Sequence, residues 1–207
     1  TYGWTAYSRP RYQIGYFTWK TKGEITGCRL RQDIFNAELS GEIHTSSGII
    51  TVNHFVHRFD DVIYTEIETK GGEEPGDWEW HPFEAKSTRG GNPGDQRYGQ
   101  AYAPYKTLKN PDPEIEKHHS IRISVQDLTA GGNYATAWNE IRTSEKKDTL
   151  LITIQNSFPG KTSAGDALKV LNRAHRKMDA GFLPWREEHR KWWHNYYPES
   201  FVTFPDT

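Results

Sequence analysis

Cysteine and methionine are nearly absent, with one residue of each in 207. With Cys28 alone, no disulfide can form within the chain, and in its strand-like setting the residue reads as a small buried hydrophobe rather than a nucleophile. No apolar run approaches the length of a membrane span. Neither sign of charge dominates: 26 Lys and Arg stand against 27 Asp and Glu, a formal net charge of -1. That balance offers no electrostatic footprint for nucleic acid or an anionic membrane. The chain opens at Thr1 without a basic or apolar leader and reads as a processed or trimmed piece. The HExxH, paired CxxC and nucleophile-elbow patterns are missing too. The nine histidines are scattered, and no set has the convergent spacing a metal needs. No metal and no cofactor is expected.

Aromatics are plentiful instead, at 14% of the chain against a hydrophobic share of only 34%. Each large ring removes much apolar area from water, so the chain can still bury a core. Flat rings also suit the apolar faces of pyranose sugars. Alternation at period two dominates the first half. Leu39, Gly41 and Ile43 share one parity, as do Ile50, Val52, His54 and Val56, and then Ile63, Thr65 and Ile67. Turn residues at Ser46-Ser47-Gly48 and Asp60-Asp61 separate the runs. "YQIGYFTWKTKGEITG" reads as two strands joined near Lys22-Gly23. The expectation is an antiparallel meander with one wet face.

Residues 70–118 break the pattern with Gly, Pro, charge and aromatics. A loop this long in a compact domain carries function or is disordered, and Trp78, Trp80, His81, Phe83, Tyr98, Tyr102 and Tyr105 argue for order. Alternation returns at Ile121, Ile123 and Val125, continues through "NYATAWNEI" after a Gly131-Gly132 turn, and ends with "DTLLITIQNSF". The period then changes. Ala167, Leu168, Leu171, Ala174 and Met178 fall at helical spacing, with Gly181 as the stop. A second helix is expected from Pro184 as its first residue, with Glu187 and Glu188 in its first turn. Its stripe is Trp185, His189, Trp192, Trp193 and Tyr196.

The acids Glu73, Glu74, Asp77, Glu79 and Glu84 mix with Trp78 and Trp80, which admits a paired-carboxylate site but fits a solvated acidic loop better. The two tryptophans serve either as sugar platforms or as pins of the loop to the sheet. Arg9 and Arg11 flank Pro10 as candidate carboxylate or hydroxyl contacts, but an ordinary surface segment fits them better.

The order of elements carries a resemblance. Leu30 to Ala37, the Thr45 to Gly48 turn, Phe55 and Asp61 to Ile63 match successive strand patterns in the N-terminal β-sandwich of bacterial glycoside hydrolases related to families 95 and 65. "AGGNYATAW" is similar to a late strand of that domain, and "HRKWWHNYYPESFV" to the helical linker behind it. The resemblance covers most of residues 14–69 and 121–207; residues 70–118 match no pattern of the group. It implies a mainly β fold, an antiparallel β-(super)sandwich over residues 1–160 with an insertion at about 70–118. Residues 161–207 would be two linker helices leading to an (α/α)6 barrel outside the chain. The catalytic carboxylates of such enzymes lie in the barrel, which needs several hundred residues, so this chain is expected to be the non-catalytic part of an enzyme acting on plant or host glycans. Its loops would reach the substrate rim, which makes Trp78, Trp80, His81, Arg97 and Tyr98 the substrate-contact candidates. Trp192, Trp193, Tyr196 and Tyr197 would be half of an interface with the helical domain or a second chain. The partner is an oligo- or polysaccharide, and the implied location is periplasmic or secreted. Apart from the resemblance, a free-standing carbohydrate-binding module and a structural assembly module whose aromatics dock a partner remain alternatives.

Overall fold

A computed structural model describes residues 14–83, 110–129 and 131–200. The fold is mainly β, with antiparallel strands in two sheets and two helices at the C-terminal side. The strands are β1 (Gly15–Trp19), β2 (Ile25–Asp33), β3 (Glu38–Thr45), β4 (Gly48–His57), β5 (Val62–Gly71), β6 (Trp78–Pro82), β7 (Glu114–His118), β8 (Ile121–Asp127), β9 (Asn133–Ser144) and β10 (Lys147–Asn156). Eight of them form one sheet in the order β2-β3-β4-β5-β10-β9-β8-β7, while β1 pairs only with β6. The helices are α1 (Ser163–Ala180) and α2 (Phe182–Tyr196), followed by a short 3-10 turn at Tyr197–Glu199. Among the described residues, no helix is long and apolar enough to cross a membrane.

Period-two alternation assigns each side chain of the large sheet to one of two faces. Phe55, Val62, Tyr64, Ile121, Ile123, Ala135, Ala137 and Leu151 form the first, and Ala167, Val170, Leu171, Ala174 and Trp185 of the helices close over it. The small alanines of β9 let α1 approach, and the helical residues recur at i, i+3, i+4 and i+7, so one stripe meets the sheet. Each fully buried Ile or Leu here contributes roughly 1.5–3 kcal/mol. Trp138, Leu150 and Ile152 occupy the second face, covered by Phe17, Trp78 and Trp80 of the small sheet. The arrangement is sandwich-like, with a helical layer on one side and a two-stranded ribbon on the other.

Several expectations change here. The stretch around Lys22-Gly23 does not join a hairpin, because β1 leaves to pair with β6 in the other sheet. Within residues 70–118, β6 and β7 are built from the two ends. Cys28 is exposed rather than buried, because it lies on β2, the edge strand, beyond the reach of either cover. The second helix begins at Phe182, so Pro184 is its third residue. A proline still fits there, since the first-turn N–H groups lack helical partners. Glu187 and Glu188 consequently leave the first turn, which holds no acid. Gly181 stops α1 as expected, its N–H donating to the Lys177 and Met178 carbonyls.

Candidate functional site

On the second face, beyond the end of the small sheet, β7 to β10 form a cleft of about 360 Å³. It is lined by Lys117, His119, Ser120, Arg122, Trp138, Glu140, Arg142 and Asp148. The register explains the gathering. Lys117 faces Arg122, Arg122 faces Trp138, and Arg142 faces Asp148 across paired strands. Trp138, Glu140 and Arg142 alternate along β9, so one row passes from core ring to charged rim. The size lies at the lower end of ordinary ligand pockets, about 300–1,000 Å³.

The two carboxylates differ in setting. Asp148 is 1% exposed. It accepts from Trp78 Nε1 at 3.2 Å and lies 3.8 Å from the Arg142 guanidinium. Burial pushes its carboxyl above the ordinary range, and the nearby Asp77 charge adds to that, against the pull of Arg142 and Trp78. Glu140 accepts from Arg122 at 3.0 Å. Its carboxyl is also raised, first by burial, with Asp148 and Asp77 repelling its charge and Arg122 opposing them. The side chains of Lys117, His119 and Ser120 have no hydrogen-bond or ion-pair partner among the described residues. His119 holds φ 55 in the two-residue turn between β7 and β8, a backbone region where glycine is the ordinary choice.

The structure distributes the sequence candidates unevenly. Trp78 and Trp80 are half-buried under the second face. Trp80 packs on Phe17 and Trp138 with ring centroids 4.8 and 6.1 Å away. His81 stacks on Tyr16 at 4.7 Å and shares a 2.8 Å hydrogen bond with Thr18 Oγ1. Arg97 and Tyr98 lie outside the described residues, as do Arg9, Arg11, Tyr102, Tyr105 and Glu84. Glu73 is no solvated loop acid. It is fully buried and accepts from Thr45 Oγ1 at 2.6 Å and from the Gly23 and Lys22 N–H groups at 2.7 and 3.1 Å. Burial would raise its pKa, but these donors outweigh it and hold the carboxyl below the ordinary range. Its role is to tie three turns together. Glu140, Asp148, Arg122 and Arg142 were missed by sequence reasoning. The signal was there: Glu140 and Arg142 continue the period-two row of Trp138 as charges on a strand whose first half is core.

A second polar cluster lies under α2. His57, Asp60 and Glu188 bring ligand-type atoms within 4.8 Å of one another. Cationic side chains already occupy that position. Lys177 Nζ lies 3.0 Å from Asp60 Oδ2 and 3.6 Å from Glu188, and Arg173 Nε lies 3.1 Å from Asp60 Oδ1. Trp185 Nε1 donates to Asp60 Oδ2 at 2.8 Å, and the His57 ring lies parallel to Trp185 at 4.4 Å. Asp60 therefore satisfies its charge with side-chain donors and fits a structural clamp rather than a metal centre.

Of the aromatic stripe on α2, Trp185 and His189 are buried. Trp192 and Trp193 are half-buried, and Tyr196 is 43% exposed. Trp192 stacks on Tyr196 at 4.9 Å and Trp193 on Tyr197 at 5.3 Å. The Arg58 guanidinium sits 4.2 Å over Trp192, and Phe35 stacks on His194 at 4.0 Å. Together these features define, over the described residues, an antiparallel β-sandwich-like fold with a pair of helices, a charged cleft and an aromatic face. Comparison with models of protein families and with curated proteins gives no match.

Proposed function

We propose that the chain is the non-catalytic β-sandwich and helical linker of a glycoside hydrolase, supporting a helical catalytic domain and contributing a saccharide contact. The resemblance of strand order and linker to the bacterial enzymes of families 95 and 65 motivates this reading. The observation that carries it is the aromatic face of α2. Trp192 and Tyr196 stack in pairs at the surface, although Trp185 and His189 already anchor the helix to the sheet. Partly exposed stacked rings on an anchored helix suit a partner surface, and a helical domain following the linker is the occupant the reading assigns. The catalytic carboxylates belong to that domain. The test is the coding sequence beyond Thr207. Several hundred residues of helical periodicity with acids near helix ends support the proposal, and an immediate stop codon overturns it.

The cleft favours a second reading, a stand-alone carbohydrate-binding module. Its lining couples an indole to several donors and acceptors, the mixture a polyhydroxylated ligand needs. This second reading assigns the saccharide to the cleft. Glycan-array binding by the isolated chain, lost on Glu140→Ala, supports that assignment; binding that Glu140→Ala leaves intact removes it.

A further inference from the structure

The charges of the cleft point to a narrower class of ligand. Glu140 is matched by Arg122 and Asp148 by Arg142. Lys117 is exposed at the same lining and has no partner among the described residues. The lining thus carries two carboxylates against three cations, and Lys117 is the cation left without an ion-pair partner among the described residues. Arg122 spends a single hydrogen bond on Glu140, so most of the five donors of its guanidinium remain available. His119 and Ser120 stand beside Lys117 on the connecting turn, again without partners among the described residues.

We propose that this cleft takes a uronic acid residue of an acidic glycan. The inference rests on the saccharide reading of the cleft and adds the sugar's charge. The carboxylate meets Lys117 as a point charge and the Arg122 fork as a planar partner. Ring hydroxyls donate to Glu140 and accept from His119 and Ser120. One ligand carboxylate supplies the partner that Lys117 lacks. A polyphosphate or nucleic acid would bring several negative charges toward Glu140, Asp148 and Asp77, on a chain whose own net charge is -1.

The experiment is calorimetric titration of the chain with tetrameric oligouronates and with their methyl esters, which keep the skeleton and remove the charge. The acid form of at least one uronate is expected to bind about tenfold more tightly than its ester, and Lys117→Ala to weaken the acid form about fivefold while leaving the ester unchanged, as exposed charge pairs worth about 1 kcal/mol imply. Raising the salt concentration should shrink the difference between acid and ester. His119→Gly should raise the thermal midpoint and lower uronate affinity together, an outcome a purely structural histidine would not give. Equal affinity for acid and ester overturns the acidic-sugar inference and leaves the saccharide reading standing. Preference for sulfated over uronate oligosaccharides also overturns it. Binding of neither form removes the saccharide reading and the inference with it.

Discussion

At the scale of single residues, Glu38 shows how one charge can tie two elements together. It starts β3, is 8% exposed, and receives hydrogen bonds from Arg186 at 2.8 and 2.6 Å and from Arg190 at 2.9 and 2.8 Å. Burial alone would raise its pKa, but the two guanidinium groups overcome that and hold it at about 2. Its folded pKa lies below the unfolded value of about 4.5. The stability it contributes is therefore fully present above pH 4.5 and is lost as pH falls toward 2. Glu38→Gln should flatten the acid limb of a pH-stability curve measured by urea unfolding and cost roughly 3 kcal/mol at neutral pH, since it leaves two arginines short of their partner. Gly41 makes a different residue-scale case. A Cβ there would lie 2.1 Å from the Arg29 carbonyl oxygen of β2, so Gly41→Ala must push the edge strand away. A loss of roughly 1–3 kcal/mol is expected, read as a lower urea midpoint with an unchanged slope.

The element scale separates what pattern reveals from what only pairing reveals. Helix α1 was legible because Ala167, Leu171 and Ala174 repeat at helical spacing and are all fully buried. The strand runs were legible for the same reason at period two, and His54 and His57 do point to opposite faces, the latter against Trp185. The fate of β1 was not legible. Nothing local in "GYFTW" distinguishes a strand that pairs with its neighbour from one that pairs far along the chain, as Trp19 does with Trp78. The cleft was hidden for a related reason: Arg122, Glu140 and Asp148 come from three strands and meet only through register. The seat of α2 carries its own prediction. His57 Nε2 bonds the Trp185 carbonyl at 3.0 Å, and His189 Nδ1 accepts from the Arg58 N–H at 3.2 Å. Burial lowers the pKa of both rings, against the pull of Asp60 on His57 and of Glu38 on His189. Their folded values lie below the unfolded 6.5, so their contribution is whole above pH 6.5 and declines as pH falls through the folded values. Tryptophan fluorescence should report loosening of α2 on acidification before Glu38 titrates. In His57→Gln with His189→Gln, the midpoint of that change should move to lower pH; an unmoved midpoint would place the loosening elsewhere.

At the scale of the whole molecule, two covers of unequal strength share one large sheet. The helical cover is broad, reaching β5, β8, β9 and β10. The other cover is a two-stranded ribbon, which is marginal by itself and depends on Phe17, Trp78 and Trp80 meeting Trp138, Leu150 and Ile152. Opening free energy should therefore be lower in the ribbon than in the central strands. Amide exchange should run fastest in residues 15–19 and 78–82 and slowest in β9 and β10. Trp80→Ala removes the ring that bridges Phe17 to Trp138. Truncating a tryptophan at such a contact costs roughly 3–5 kcal/mol when fully buried, and less at this half-buried position. The loss falls on the ribbon, so exchange should accelerate there while β9 and β10 keep their protection. The cleft should feel the change through Trp78, whose indole donates to Asp148. Once the ribbon loosens, Asp148 regains water and its raised pKa relaxes toward the ordinary carboxylate value. A carbon-13 titration of the Asp148 carboxyl in Trp80→Ala would show that fall. An unchanged titration with an open ribbon would mean that the sheet alone, without its cover, sets the electrostatics of the cleft.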